Sequence, residues 1–341
     1  MSEYYWIIIW IAVFAILSNM VRAEQSETVC GEKVYRYTWW WAILAIIPLL
    51  YLCSVRQYIG DTAAYTRAFN EMPESISGFF PYMDGVKKDR GFYAFSALIK
   101  TIIGNEVELY FLIIAALQGI LLVKIYRKYS TRYVLSIFLF LISTDYISWM
   151  FNGIRQFLAV TITFAACPFI LKKKYAPAIL MVLLASTVHG TALLVLPFMF
   201  IVQGGAWNKK TILFIFATIA IVFSIGQFTT ILDTMLQETQ YQNVVSDWKE
   251  WQDDGTNFLR VLVYSIPAIL SLIGLKYIKK ADNPIINMST NMSIIATGFY
   301  VVSMFTSGVF IGRLPIYFSL YPHGQEETQK NIVQIYPLVF G

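Results

Sequence analysis

The chain has 341 residues, of which 57% are hydrophobic and only 14% charged. A water-soluble domain carries about 25% charged residues to face its solvent. This composition, with a mean hydropathy of +0.58, therefore excludes a soluble enzyme, a disordered chain and a secreted disulfide scaffold, and leaves a multi-pass membrane protein.

The first apolar run, Tyr5 to Val21, has no basic residues before it and reads as a span that stays attached, not a cleaved signal. Residues 38–55 form the second expected span. A long loop, 56–105, follows, and within it residues 92–103 are apolar but too few to cross, so an interfacial helix is predicted there. Further spans are expected over 107–123, 133–150, 154–171, 211–228, 259–275 and 289–311, about eight in all with the first two. Backbone groups cannot go unpaired in lipid, so each is a helix. The fold class predicted is all-α, a polytopic membrane helix bundle, with residues 1–341 as a single integral domain.

Residues 176–202 do not fit a simple crossing. They run between Lys172-Lys173-Lys174 and Lys209-Lys210, two basic clusters that both belong on the cytoplasmic side. A short hairpin turning at Val188-His189-Gly190 puts both inside; one long tilted helix is the alternative. With the hairpin, more than half of the basic residues are cytoplasmic, which explains a net charge of +5 without nucleic acid. The N-terminus and the loops 56–105 and 229–258 then face outside. The second of these is acidic, with Asp233, Glu238, Asp247, Glu250, Asp253 and Asp254 beside Trp248 and Trp251. After Tyr321 the last residues are too few to span.

Cys30, Cys53 and Cys167 are single and far apart, the pattern of small buried hydrophobes. No GxSxG, Walker loop, HExxH or dinucleotide fingerprint occurs. The outer carboxylates lack a clear chelating spacing, so no metal and no cofactor is called for.

The span centres are almost bare of charge, and five polar clusters fall at the outer edge. Arg56 to Tyr65 closes the second span, with Asp61 and Tyr65 on one face if the stretch is helical. Its alternative reading is an anchor with a snorkelling arginine. Lys87-Lys88-Asp89-Arg90-Gly91-Phe92 precedes the interfacial helix and is either a headgroup-attracting patch or a solvated turn. Asn152, Arg155 and Gln156, at i, i+3 and i+4, enter a helix whose positive end suits an anion. Asp145 is a possible structural partner for Arg155. His189 sits at the hairpin tip, where an imidazole titrates or packs. Gly312-Arg313-Leu314 ends the last span and either snorkels or offers another guanidinium. Arginine binds phosphate through a planar fork and keeps its charge, so several arginines at one face suggest a lipid pyrophosphate.

In order, Arg56-x4-Asp61-Thr62-x2-Tyr65, acid-x-Gly-aromatic at Asp89 to Phe92, Asn152-x2-Arg155-Gln156, His189 and Gly312-Arg313-Leu314 resemble the EpsG-like family of Wzy-type exopolysaccharide and O-antigen polymerases. The resemblance runs from about Trp6 to Tyr321. The family usually has Glu-x-Gly-Tyr where this chain has Asp89-Arg90-Gly91-Phe92.

The resemblance implies a GT-C-like bundle in the bacterial inner membrane. It implies joining O-antigen, capsule or exopolysaccharide repeat units carried on undecaprenyl pyrophosphate at the periplasmic face. The implied partners are that lipid-linked oligosaccharide, membrane lipids and a chain-length regulator. Arg155 and Arg313 are assigned to the donor pyrophosphate, with Arg56 as a third clamp. Asp61 or His189 is the candidate base, and Tyr65, Asn152, Gln156 and Arg90 contact sugar or phosphate. A lipid-linked oligosaccharide flippase, a membrane O-acyltransferase using His189 and a non-catalytic scaffold are the competing readings.

Overall fold

The computed structural model describes residues 2–21, 24–29, 32–56, 60–130, 132–237, 250 and 255–321. These residues cluster into two compact units, Met1–Val195 and Leu196–Gly341.

The first unit begins with α1 (Ser2–Ser18) and a two-stranded antiparallel hairpin, β1 (Glu24–Val29) with β2 (Glu32–Arg36). The hairpin pairs Glu24 with Arg36 and Ser26 with Val34, and it is an exception to the all-α prediction. Residues 38–55 are not one helix. They break into α2 (Trp39–Leu44) and α3 (Ile47–Ser54), with Pro48 in the first turn of α3, where a missing amide costs nothing.

Three helices occupy the long loop: α4 (Thr62–Asn70), α5 (Ile76–Gly85) and α6 (Arg90–Ile103). The last is the helix predicted at 92–103, one turn fraction longer at its start. Next come α7 (Val107–Tyr129), α8 (Tyr133–Ile142), α9 (Thr144–Phe151), α10 (Ile154–Ala165), α11 (Cys167–Leu171) and α12 (Tyr175–Val188). At His189 the backbone turns extended, with φ −154° and ψ 119°, and a 3-10 turn follows over Gly190–Leu194. One continuous tilted helix over 176–202 is thereby ruled out.

Helix α10 is the centre of this unit. All its residues but Arg155 are buried, and it packs against α7 and α12. Thr161 and Thr163 donate their hydroxyls back to Leu158 and Val160 carbonyls, so no hydroxyl proton is stranded. Between helices in lipid, close van der Waals packing replaces the hydrophobic effect. Gly119 of α7 shows this, because a Cβ there would stand 2.6 Å from Ile46 Cδ1, beside α3.

The second unit holds α13 (Val195–Ile201), α14 (Lys209–Phe223), α15 (Ile225–Leu236), α16 (Phe258–Ile273), α17 (Leu275–Ala281), α18 (Pro284–Met304) and α19 (Ile316–Ser319). Helix α18 is buried and polar at its start. Asn291 donates to the Val202 and Gly205 carbonyls and accepts from the Trp207 amide, and Asn287 accepts from Ala206. The irregular backbone between α13 and α14 thus finds its partners on α18.

Among the described residues, α7, α10 with α11, and α18 are each long and apolar enough to cross a membrane unbroken. Three bent pairs also qualify as pairs: α8 with α9 at 71°, α14 with α15 at 100°, and α16 with α17 at 67°. The chain is a membrane protein. The predicted span 289–311 starts earlier and stops at Met304. The predicted loop 229–258 begins inside α15, which carries Asp233. Glu238, Asp247, Trp248, Trp251, Asp253 and Asp254, and everything after Tyr321, lie outside the described residues.

Candidate active site

Asp89 stands immediately before α6 with φ +48°, a left-handed conformation that Asp tolerates better than most residues. Its carboxylate does not cap its own helix. Instead Oδ2 accepts from Arg155 Nη1 at 2.8 Å, and Oδ1 lies 3.8 Å from His189 Nδ1. The Gly190 amide also donates to this carboxylate. The Asp89 side chain is only 4% exposed. Burial pushes its carboxyl above the usual range, and Arg155, the Gly190 amide and Lys88 pull it part of the way back.

Arg155 sits in the first turn of α10, with its side chain 30% exposed. Its Nε donates to Tyr65 Oη at 3.3 Å. The guanidinium carbon lies 5.9 Å from the Tyr65 ring and 5.8 Å from the Tyr93 ring, within cation–π range. Two edges of the fork are thus committed, and Nη2 carries no hydrogen bond among the described residues. Burial holds the Tyr65 phenol above its ordinary value, against the pull of Arg155. Four separate elements therefore converge here: α4 gives Tyr65, the start of α6 gives Asp89, α10 gives Arg155, and the break after α12 gives His189.

The other predicted residues are placed differently. Asp61 Oδ2 accepts from the Gly153 amide at 3.1 Å. With the Asn152 amide nitrogen turned toward it, Asn152 donates to Oδ2 at 2.8 Å and to Oδ1 at 3.0 Å. The positive end of α10 thus already holds a carboxylate, that of Asp61. Asn152 precedes the helix, so it does not share a face with Arg155 and Gln156, and Gln156 is buried at 5% exposure. Arg155 pairs with Asp89, not with Asp145. Arg90 is exposed and donates to the Met83 carbonyl at 3.4 Å, at the end of α5. Arg313 belongs to the second unit, exposed on a 3-10 turn over Ile311–Arg313. That turn is fixed by a close approach: a Cβ on Gly312 would lie 2.6 Å from Thr256 Oγ1, and Thr256 is hydrogen-bonded to Ser303.

Arg56 is 9% exposed and spends its Nη1 on the Met150 and Phe151 carbonyls, at 3.0 and 3.3 Å. Its guanidinium carbon lies 3.7 Å over the Phe111 ring. The end of α9 and the face of α7 are therefore joined through this side chain. Arg56→Ala is expected to lower stability by about 2–4 kcal/mol, since it strands two carbonyls and removes a desolvated cation–π contact. Thermal unfolding of the detergent-solubilised protein reads that loss. A clamp on substrate would instead raise KM with unfolding unchanged.

Tyr93 is not singled out in the sequence, and Asp89 is named there only within its cluster and motif, without a role of its own. Asp89 lay within the acid-x-Gly-aromatic motif, and that motif was the signal available. Buried Lys100 was also missed: it donates to Asn105, stands 3.8 Å from Glu74, and lies 4.7 Å over the Phe69 ring. Among the described residues no group of three or more His, Cys, Asp and Glu is arranged to hold a metal.

No curated protein and no solved structure matches the chain. The profile of the EpsG family matches residues 39–323, a stretch that includes Asp61, Asp89, Arg155, His189 and Arg313. With most of its length matched, the chain belongs to the EpsG family.

Proposed function

We propose that this protein is a GT-C-like glycan polymerase. It joins oligosaccharide repeat units carried on undecaprenyl pyrophosphate at the periplasmic face of the bacterial inner membrane. Membership of the EpsG family implies an exopolysaccharide-related, polymerase-like function. The observation that carries the finer reading is the Asp89–Arg155–His189 cluster, a buried acid bridging a guanidinium and an imidazole.

In the proposed reaction, a hydroxyl of one lipid-linked unit attacks the anomeric carbon of the other. The bond from that carbon to the pyrophosphate oxygen breaks, and the pyrophosphate leaves with the electron pair. Arg155 offers its open Nη2 edge to the pyrophosphate, where fixed positive charge matches the developing negative charge. His189, whose Nδ1 lies 3.8 Å from Asp89 Oδ1, takes the proton of the attacking hydroxyl, and the nearby carboxylate stabilises the imidazolium that forms. Asp89 is the orienting acid of that pair, and Tyr65 holds the guanidinium through its oxygen. Arg313 is proposed as a second phosphate-binding guanidinium on its chemistry alone.

A flippase would carry charges along its span interiors. Arg155 is the sole charged residue of α10, and it lies in the first turn, which favours chemistry at an edge. The test is incubation of the purified protein with a defined undecaprenyl pyrophosphate repeat unit. A ladder on a glycan gel is expected. Lipid translocation without new glycosidic bonds would overturn the proposal.

A further inference from the structure

We infer that Asp61 is a positioning residue that sets Arg155, not a base. The inference deepens the polymerase reading and rests on it for its activity arm. It starts from the turn between α9 and α10. Asn152 leaves α9 in an extended conformation, and Gly153 follows with φ +76°, where a Cβ would meet the Trp149 ring at 3.0 Å. That turn ends one helix and starts the next within two residues, so it leaves backbone donors at the head of α10 with no helical partner. Asp61 supplies the partner from a different element. Its Oδ2 takes the Gly153 amide, and both of its oxygens take the Asn152 side chain.

The approach is tight. Gly60 has φ +57°, and a Cβ on it would lie 3.1 Å from Asn152 Cβ. The segment carrying Asp61 is thus fastened against the turn by shape as well as by hydrogen bonds. Arg155 lies two residues after Gly153, and its 2.8 Å contact with Asp89 depends on where that turn sits. The same segment leads into α4, which brings Tyr65 to Arg155 Nε. One carboxylate therefore fixes the guanidinium from two directions, through the backbone ahead of it and through the helix that carries its phenol partner. With both oxygens engaged by donors from Asn152 and Gly153, the Asp61 carboxylate is occupied within the fold.

The test compares Asp61→Asn, Asp61→Ala and Asn152→Ala in the polymer assay and by amide hydrogen exchange over residues 150–158. Asparagine keeps an oxygen for the Gly153 amide but cannot act as a base. Asp61→Asn is expected to keep kcat within about tenfold of wild type, with the acid limb of the pH–rate profile in place. Asp61→Ala and Asn152→Ala are expected to lose about 100-fold and to exchange faster across the turn. Exchange in Asp89→Asn should stay as in wild type at the same peptides.

A fall of about 1,000-fold or more in Asp61→Asn, with normal exchange and a lost acid limb, would overturn the inference and make Asp61 the base. Unchanged exchange in Asp61→Ala would overturn it as well. The polymerase reading fails separately, if the wild-type protein makes no polymer; the exchange arm then still decides whether Asp61 holds the turn.

Discussion

Arg155→Lys is expected to abolish long-chain polymer in cells and to lower turnover in vitro by about 1,000-fold. The guanidinium uses separate edges for separate jobs. Nη1 donates to Asp89 at 2.8 Å and Nε to Tyr65 at 3.3 Å, and Nη2 is the edge proposed for the pyrophosphate. A lysine ammonium is a compact charge on a flexible stem and cannot hold the acid, the phenol and a phosphate in fixed directions. Asp89→Asn is the companion change and separates chemistry from stability. The Asp89 carboxyl titrates above the usual carboxylate range because it is buried. A raised folded-state value means that the stabilising contribution of this group is present at low pH and is lost as pH rises through that value. At neutral pH, Asp89→Asn is therefore expected to leave the unfolding temperature unchanged or raise it, while activity is lost. A large fall in unfolding temperature would show that the Arg155 ion pair outweighs burial, and normal polymer length would remove Asp89 from the mechanism.

Much of the frame was legible because lipid enforces it. The apolar run over 154–171 follows Asn152-Gly153, and it becomes α10 and α11 where the pattern placed them. The helix at 92–103 was legible for the same reason: its apolar residues are too few to span. The breaks at Ser143 and Ser224 were not legible. Each falls inside an apolar run, and neither serine differs from one that would sit quietly in a straight helix. The partners of the two outer acids were not legible for a related reason. Asp61 and Asp89 both precede helices, and both were written with a basic residue nearby. Only the fold decides that Asp61 turns to the Gly153 amide and the Asn152 side chain while Asp89 turns to Arg155 and His189. The partners of Arg56 were hidden in the same way, since an arginine at a span end looks the same whether it meets a phosphate or the carbonyls of Met150 and Phe151.

Gly91→Ala is expected to cost activity by about 100-fold or more and to destabilise the protein by about 1–3 kcal/mol, the range for forced overpacking. A Cβ at this position would lie 2.1 Å from Thr187 Oγ1, 2.7 Å from Thr187 Cβ and 2.9 Å from the Thr187 carbonyl carbon. Thr187 cannot swing away freely, because its hydroxyl donates to the Leu184 carbonyl at 2.7 Å. The start of α6 and the end of α12 must therefore part. That movement separates Asp89, two residues before Gly91, from His189, two residues after Thr187. The pair already spans 3.8 Å between Oδ1 and Nδ1, beyond hydrogen-bond length, so any further parting weakens it. A second change distinguishes this from general damage. Thr187→Gly in the Gly91→Ala background removes both side-chain clashes but leaves the carbonyl carbon at 2.9 Å. Rescue of polymer length should therefore be partial. Full activity in Gly91→Ala alone, read on the same glycan gel, would mean that α6 can shift without disturbing Asp89, and that the contact with His189 is not needed for turnover.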